Sequence, residues 1–329
     1  MRQWLQKQWT TYTPWHLLLL PLAAIFSLLS SFRRYLYQFK LLKSHKLPVP
    51  VIVVGNINIG GTGKTPLVIW LAQQLMVAGY KPGIISRGYG GNAHQPMYVD
   101  KSADARVVGD EPVLIAMRTD CPVFVCADRV SAGQKLLEKF PACNVLMSDD
   151  GLQHYRMRRD VEIVVYDADK AFGNGMLLPA GPLRETVARL KTVDAVVCNG
   201  EAQVHTVSQN AFLMRMHADF FYNLLQPSST LGASALSGKK VMAVAGIGNP
   251  QRFFNQLKQM GLQFQQRAFA DHYAFTANDF ADVDADIVVM TEKDAVKCKA
   301  FASDNFWVLP VKAEVENGLM PIILNQLNQ

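Results

Sequence analysis

The sequence predicts an α/β fold, in which helices cover a mainly parallel sheet, and three observations support this class. Apolar runs of strand length alternate with segments of helical periodicity from residue 51 onwards. Several of these runs end in glycines or carboxylates, as parallel strands do at a ligand-binding edge. The alternation stops in a segment rich in Ser and Gly, residues 227–239, and then starts again. The pattern therefore indicates two units built on the same plan.

The 329 residues, half of them apolar, suffice for two globular cores. The predicted strands are residues 51–54, 81–86, 122–126, 144–148, 161–167 and 195–197, then 241–245, 263–268, 286–290 and 306–311 as the last. Two short alternating runs within residues 211–225 predict a two-stranded ribbon. We divide the chain into a membrane-associated helix and basic segment (1–46), a first α/β domain (47–210), a two-stranded linker and boundary (211–238), and a smaller α/β domain (239–329).

The first element in the chain is an apolar helix over residues 15–32, which contain no Asp, Glu, Lys or Arg. A membrane span needs about 20 such residues, so this helix is near the lower limit. Trp4, Trp9 and Tyr12 on one side and Tyr35 on the other are typical of interfacial anchors. The alternatives are a buried core helix, which Pro21 fits poorly, and a cleaved signal peptide, for which no small-x-small cleavage site is found.

The excess of positive charge is confined to this amino-terminal segment. Its basic residues are Arg2, Lys7, Arg33, Arg34, Lys40, Lys43 and Lys46, and it has no acidic residue. With these seven subtracted from 33, the rest of the chain holds 26 basic residues against 27 acidic ones, so we expect no nucleic-acid partner. The basic cluster suits anionic headgroups on the cytoplasmic side of a membrane. Five cysteines without a C-x-x-C pair indicate reduced thiols in a cytosolic domain.

Residues 55–65 (GNINIGGTGKT) stand between an apolar run and a helical pattern, which is the order of a phosphate-binding P-loop. Small residues let backbone N–H groups face phosphate oxygens, Lys64 can neutralise the β- and γ-phosphates of ATP, and Thr65 can bind Mg²⁺. The fold is therefore predicted to be P-loop NTPase-like, with a glycine-rich turn that binds nothing as the alternative. The predicted nucleotide-binding residues are Asn58, Gly60, Gly61, Thr62, Gly63, Lys64 and Thr65.

One position departs from the strict pattern G-x-x-x-x-G-K-[ST], because Asn58 stands where glycine is required. Asparagine tolerates left-handed backbone angles better than other residues with a Cβ atom. We therefore expect the loop to form despite this substitution.

The strand predicted at residues 144–148 runs directly into Asp149 and Asp150. P-loop enzymes hold Mg²⁺ with carboxylates at such a strand end, and two adjacent buried acids are costly without a cation. These residues are our candidate for the metal site, and an ordinary turn is the alternative. The sixth predicted strand, at 195–197, leads to Asn199, a position suited to contacting the base of the nucleotide.

Two further residues have both a chemical and a structural interpretation. Asp110 precedes a helical run and could be an acid or base, or simply the N-cap of that helix. His272, next to Asp271, could serve in acid–base chemistry, although most single histidines are structural. The pair Gly246-x-Gly248 lacks the third glycine of a dinucleotide-binding motif, and we do not interpret it as one.

Seven motifs follow one another along nearly the whole chain: GNINIGGTGKTP at 55, SRGYGG at 86, GDEP at 109, DDGLQH at 149, PLRE at 182, DHYAF at 271 and TEKDAVK at 291. Together and in this order they resemble the tetraacyldisaccharide 4′-kinase family of lipid A biosynthesis. The resemblance implies ATP-dependent phosphorylation of the 4′-hydroxyl of tetraacyldisaccharide 1-phosphate, which gives lipid IVA at the cytoplasmic face of the bacterial inner membrane. It also implies two domains joined by a two-stranded linker with ATP between them, a membrane glycolipid as the partner, and no obligate protein partner.

The same resemblance assigns roles to individual residues. It makes Asp110 the general base, assisted by His272. It places Lys64 on the phosphates and stabilises the transferring group with positive charge from Arg184 and Arg129. It assigns four residues to the surroundings of Mg²⁺: Thr65, Asp149, Asp150 and Glu185. It also places Arg87 and Lys293 near the substrate or the nucleotide.

Two other functional classes stay open from the residues alone. A membrane-tethered NTPase that acts as a switch or chaperone would hydrolyse nucleotide and phosphorylate no lipid. A scaffold with an inactive P-loop is the other, and the intact Lys64, Thr65, Asp149 and Asp150 argue against it.

Overall fold

The computed structural model describes residues 8, 9, 11–201 and 208–328. Arg2, Trp4 and Lys7, which the sequence predicts to flank the membrane helix, lie outside the described residues. The strands are β1 Val51–Gly55, β2 Pro82–Ser86, β3 Met97–Val99, β4 Val123–Val125, β5 Val145–Asp149, β6 Val161–Asp167, β7 Ala195–Asn199, β8 Ala211–His217, β9 Phe221–Asn223, β10 Thr230–Leu231, β11 Val241–Ala245, β12 Gln265–Ala268, β13 Ile287–Thr291, β14 Phe306–Leu309 and β15 Lys312–Val315. The α-helices are α1 Trp15–Gln38, α2 Lys64–Val77, α3 Ala105–Val108, α4 Asp110–Arg118, α5 Arg129–Lys139, α6 Pro250–Gln259, α7 Glu292–Cys298 and α8 Leu319–Leu327.

The described strands form two sheets, and the predicted α/β class is confirmed. The first is a 9-stranded sheet in the order β15-β8-β7-β6-β1-β5-β2-β4-β3, parallel except at its two edge strands. The second is a 6-stranded sheet in the order β10-β9-β14-β13-β11-β12, in which β14, β13, β11 and β12 are parallel. We call each sheet with its helices the first and the second lobe.

Each lobe buries apolar side chains on both faces of its sheet. On one face of the first sheet, Leu67 and Leu71 of α2 pack with the carboxyl-terminal helix through Leu319. On the other face, Leu136 of α5 packs with Val53 of β1. The central strands are buried on both faces, which explains why the sequence shows them as continuous apolar runs.

The strands predicted as a ribbon within residues 211–225 do not pair with each other. Strand β8 joins the first sheet, parallel to β7, and β9 joins the second sheet, antiparallel to β14. The linker is instead β8 with β15, paired antiparallel from His217 opposite Lys312. The alternation of apolar and polar residues identified the two strands. It did not identify their pairing partners, because those depend on the path of the chain between distant elements. The sheets thus divide the chain differently from the predicted segments, because residues 312–327 return to the first lobe.

Several described elements were not predicted, among them β3, α3, β10, β15 and α8. For β3, α3 and β15 the reason is physical. Strand β3 and helix α3 lie in the polar stretch before Asp110, where each is only three or four residues long. Strand β15 follows β14 after only Pro310 and Val311 and joins the other sheet. It lies outside the predicted apolar run 306–311 because two of its four residues, Lys312 and Glu314, are charged.

Helix α1 is 24 residues long and contains an 18-residue stretch with a mean hydropathy of 1.8, so its length and composition suffice to cross a membrane. Only His16 and Ala23 are buried within it, whereas Leu18, Ile25 and Leu29 are at least half exposed. A core helix would bury these side chains, so that alternative is wrong.

The base of α1 is held to the first lobe by polar contacts. Asn174 Nδ2 lies 3.1 Å from His16 Nε2, and the hydroxyl of Tyr12 donates to the Asn174 carbonyl over 2.9 Å. The Trp9 indole donates to the carbonyl of Pro179 over 3.0 Å. The apolar helix is therefore fixed to the lobe at its start while most of its length stays exposed.

Candidate active site

The loop between β1 and α2 has the geometry of a phosphate-binding loop. Gly63 precedes the helix with φ +93°, and Gly60 has φ +115°. A Cβ atom on Gly63 would lie 2.4 Å from Nδ2 of Asn199, so glycine is required there by both backbone angle and space. Lys64 and Thr65 form the first turn of α2, where N–H groups and the helix dipole favour an anion.

Two amide side chains hold this loop in shape. Asn199 Nδ2 donates to the Thr62 carbonyl over 3.1 Å, and Asn56 Nδ2 donates to the Gly60 carbonyl over 3.3 Å. Asn199 was predicted to contact the base, but its amide is directed at the P-loop instead. In the sequence, Asn199 is recognisable as a polar residue at the end of a buried strand. That position indicates that it lies at the site, but not which part of the site it contacts.

Asn58 supports the loop in a different way from the one predicted. Its φ is not positive, so the loop does not depend on a left-handed residue there. Its Nδ2 donates to the Ala171 carbonyl over 3.2 Å, and its backbone pairs with Leu183. The side chain thus ties the P-loop to residues 171–183, the segment that also holds the base of α1 through Asn174.

Asp149 and Asp150 lie beside the P-loop because Val54 of β1 stands opposite Asp149 of β5 in the parallel register. Lys64 Nζ is 3.5 Å from Asp150 Oδ1, and Arg184 Nη1 is 3.5 Å from Asp150 Oδ2. Arg129, almost fully buried, donates from Nη2 to the Asp150 carbonyl over 3.1 Å. Arg129 therefore supports the turn, in which Asp150 has φ +51°.

The two carboxylates differ in their electrostatic surroundings. Burial, followed by the negative charge of Glu111, raises the pKa of Asp149 to about 7, although Lys64 opposes the shift. For Asp150, burial acts to raise the pKa, but Lys64 and Arg184 outweigh it and the pKa is lowered. Asp149 is fully buried, and its Oδ1 has no hydrogen-bond partner among the described residues. An unpaired oxygen on a buried carboxylate beside a P-loop fits a bound cation such as Mg²⁺.

Glu185 is close to this site, but its carboxylate has other partners. Oε1 accepts from Gln153 Nε2 over 2.7 Å, and Oε2 accepts from the Tyr155 hydroxyl over 2.8 Å. Arg189 Nε is a further 3.3 Å from Oε2. Within the part of the chain that the structure describes, no three His, Cys, Asp or Glu side chains form a group that could hold a metal on their own.

Asp110 and His272 are in direct contact. His272 Nδ1 is 3.1 Å from both carboxylate oxygens of Asp110. Asp110 is the first residue of α4 and Gly109 takes the N-cap position, so the simple capping role is not what the structure shows. Burial acts to raise the pKa of Asp110, but the hydrogen bond from His272 and the charge of Lys293 outweigh it and lower the pKa. The carboxyl group is therefore ionised near neutral pH.

The second lobe reaches the P-loop through the loop after β11. A Cβ atom on Gly248 would lie 2.8 Å from the Gly61 nitrogen and 3.3 Å from Asp271 Oδ2. Lys170 Nζ donates to the Gly248 carbonyl over 2.9 Å. Gly248, which carried no functional interpretation in the sequence, is thus one of the points where the two lobes touch. It links the P-loop to Asp271, the neighbour of His272.

A salt bridge strengthens the same contact. Arg252, on helix α6, lies 3.1 Å from Asp167 Oδ2 at the end of β6 and 3.0 Å from Asp169. Arg87, predicted near the ligands, is exposed after β2. The site therefore combines a phosphate cradle, an acidic pair and an Asp–His pair that come from both lobes.

Comparison with known proteins identifies the family. The family model described as tetraacyldisaccharide-1-P 4′-kinase matches residues 15–328. The chain belongs to this family. Proteins named tetraacyldisaccharide 4′-kinase from Methylobacillus flagellatus and Pasteurella multocida are 50% and 47% identical to it, over 99% and 96% of this chain and 96% and 94% of their own lengths.

The family assignment is supported at the level of structure. The crystal structure of LpxK from Aquifex aeolicus in complex with ATP matches with a TM-score of 0.78 and 29% identity, covering 95% of this chain and 99% of that one. Members of the tetraacyldisaccharide-1-P 4′-kinase family are ATP-dependent kinases, so this chain is an ATP-dependent kinase. The relatives give no support to the alternative of an NTPase switch.

Proposed function

We propose that this protein transfers the γ-phosphate of ATP to the 4′-hydroxyl of tetraacyldisaccharide 1-phosphate, producing lipid IVA. The observation that carries the proposal is the contact between Asp110 and His272, formed where the second lobe meets the P-loop. A nucleotide triphosphate in the cradle of α2 would present its last phosphate toward this junction. A sugar alcohol needs a proton acceptor there, and the Asp–His pair supplies one.

The residues would divide the work as follows. Backbone N–H groups of residues 60–65 and the ammonium of Lys64 would hold the phosphates. Thr65, Asp149 and Asp150 would hold Mg²⁺, with Glu185 in its surroundings; when bound, the ion neutralises charge on the phosphate oxygens. Arg184, beside Asp150, would add positive charge near the transferring group, and Arg129 would keep the acidic turn in place.

The chemical step is a phosphoryl transfer, to which the protein contributes mainly by positioning the two reacting groups. The 4′-oxygen of the acceptor forms a bond to the γ-phosphorus while the bond from that phosphorus to the β–γ bridging oxygen breaks. The proton of the hydroxyl passes to the pair, with Asp110 as the base and His272 as its partner. ADP leaves with the bridging oxygen, so atoms and charge balance.

The membrane helix has a use in this reaction. The substrate carries four acyl chains and stays in a bilayer, so a tethered enzyme meets it at a surface. The apolar face of α1 supports insertion, and Arg33, Arg34, Lys40 and Lys43 after it suit an acidic leaflet. We propose the cytoplasmic face of the bacterial inner membrane, with lipid as the only obligatory partner.

The test is to supply γ-labelled ATP and tetraacyldisaccharide 1-phosphate in detergent micelles and to separate lipid from free phosphate. The proposal predicts label on the lipid at the 4′ position. Label that appears only as inorganic phosphate, with or without lipid, would identify an NTPase instead. A lipid that lacks the 4′-hydroxyl is the matched negative control.

A further inference from the structure

Lys293 lies at the junction between the lobes, next to the Asp110–His272 pair. It is in the first turn of α7, and its side chain is only 17% exposed. Its Nζ is 3.0 Å from Glu111 Oε1, 3.3 Å from Asp271 Oδ1 and 3.5 Å from His272 Nε2. Glu111 belongs to the same helix as Asp110, whereas Asp271 and His272 belong to the second lobe. One ammonium group therefore connects both lobes next to the Asp–His pair.

The ammonium can act only as a donor in these contacts. Burial opposes the charge of Lys293, but Glu111, Asp110 and Asp271 outweigh burial and raise its pKa. A charged lysine has three N–H donors and no acceptor. The nitrogen of His272 that faces it must therefore offer a lone pair, so Nε2 carries no proton in this contact.

The other nitrogen of the ring is constrained in the opposite sense. Nδ1 faces both oxygens of Asp110, and an ionised carboxylate only accepts hydrogen bonds. Nδ1 must therefore carry the proton. The two neighbours together select the neutral tautomer with hydrogen on Nδ1, and the ring is also restrained by the Tyr89 ring at a centroid distance of 4.9 Å.

We infer that Lys293 is a positioning residue, which keeps His272 neutral with Nδ1 directed at Asp110 when the lobes are in contact. This inference rests on the proposed function. The resemblance placed Lys293 near the ligands; the geometry assigns it to the imidazole.

The charges around the pair explain why a lysine is needed. Asp271 Oδ2 lies 3.7 Å from Nε2, and this carboxylate would favour a proton on that nitrogen. Lys293 neutralises both Asp271 and Glu111. Lys297 is a second cation close to the pair among the described residues. Its Nζ is 3.9 Å from Asp110 but 2.7 Å from Asp294, so its main partner is Asp294.

The first experiment measures kcat and KM for ATP against pH in the full-length protein with lipid substrate. Removing the cation in Lys293→Met leaves Asp271 and Glu111 uncompensated, which favours the imidazolium. We expect kcat at pH 7 to fall about tenfold or more, and the acidic limb of the kcat profile to move to higher pH, with little change in KM. Lys299→Met, at an exposed lysine just after α7, is the matched control and should behave like the wild type.

Asp271→Asn is a second variant with the opposite prediction, since removing this anion should move the acidic limb to lower pH. It keeps the inference testable if Lys293→Met does not fold. The inference would be overturned if the acidic limb of the kcat profile moved in the same direction in both variants, or if it moved in neither variant.

A double-mutant cycle separates this role from direct contact with phosphate. If Lys293 acts through His272, Lys293→Met should cost little further activity in a His272→Gln background. Equal fold losses in both backgrounds, or a large rise in KM for ATP, would contradict the inference. Failure of the wild type to label lipid would instead refute the proposed function, so the two failures are distinguishable.

Discussion

His272 Nδ1 lies 3.1 Å from both carboxylate oxygens of Asp110, although 162 positions separate the two residues in the chain. Asp110 opens a helix of the first lobe, and His272 follows β12 of the second. The pair therefore exists only where the lobes are in contact, whereas the P-loop and Asp149 belong to the first lobe alone. Nucleotide binding and proton transfer should accordingly respond to different substitutions.

Gly63→Ala should lose nucleotide binding. The added Cβ would meet Asn199 and sit on a backbone with φ +93°. Gly79→Ala is the matched control, because Gly79 has φ +87° but nothing within 4 Å of its added Cβ. The control should show only the backbone cost, roughly 1–2 kcal/mol in urea unfolding, and retain ATP affinity. Equal ATP affinity in both variants would mean that Asn199 does not shape the loop.

Asp149 should make the stability of the nucleotide-free protein depend on pH. Its pKa is raised from 3.8 to about 7, so its contribution favours the folded state below about pH 4 and is lost as pH rises through 7. Asp149→Asn lacks this titration. We expect the Tm of the variant relative to the wild type to increase from about pH 5 to about pH 8. A difference that stays constant with pH would show that Asp149 is already ionised at the lower pH.

Two variants test whether Glu185 is a metal ligand or a structural carboxylate. Both of its oxygens accept hydrogen bonds, from Gln153 and from Tyr155. We expect Tyr155→Phe to lower kcat while the Mg²⁺ concentration for half activity stays unchanged, since only the support of Glu185 is weakened. Asp149→Asn should raise that Mg²⁺ concentration. A comparable increase in Tyr155→Phe would place Glu185 among the metal ligands.

The exposed face of α1 should govern membrane association more than chemistry. Ile25→Glu with Leu29→Glu puts two charges on side chains that are 54% and 64% exposed, so the fold is left intact. Sedimentation with anionic vesicles should fall sharply, while activity in detergent micelles falls less. Val77→Glu, at an equally apolar exposed position of α2, is the control. Unchanged sedimentation of the double variant would refute the anchor.

Much of the first lobe was predictable because its central strands are short apolar runs with functional residues at their carboxyl ends. The P-loop follows β1, whereas Asp149 ends β5 and Asp150 follows it, and the parallel register of the two strands brings these ends together. The role of Asn58 was not predictable, since its partner Ala171 is 113 positions away.

The second lobe was harder to place for the same physical reason. The repeated pattern of strands and helices predicted that a second lobe exists. It did not predict that β9 joins the second sheet and β15 the first, because these pairings depend on the path of the whole chain. Contacts between lobes, such as Gly248 with Gly61 and Lys293 with Glu111, leave no periodic signal. The resemblance to a known family supplied the Asp110–His272 pairing, which spacing alone left open.

The most direct measurement is a single-turnover assay of label transfer from ATP to the 4′-hydroxyl in the wild type, Asp110→Asn and Asp120→Asn. Asp120 lies in the exposed turn after α4 and is the matched control. We expect Asp110→Asn to bind ATP normally but to transfer label at least ~100-fold more slowly, while Asp120→Asn matches the wild type. Transfer by Asp110→Asn at the wild-type rate would contradict this expectation.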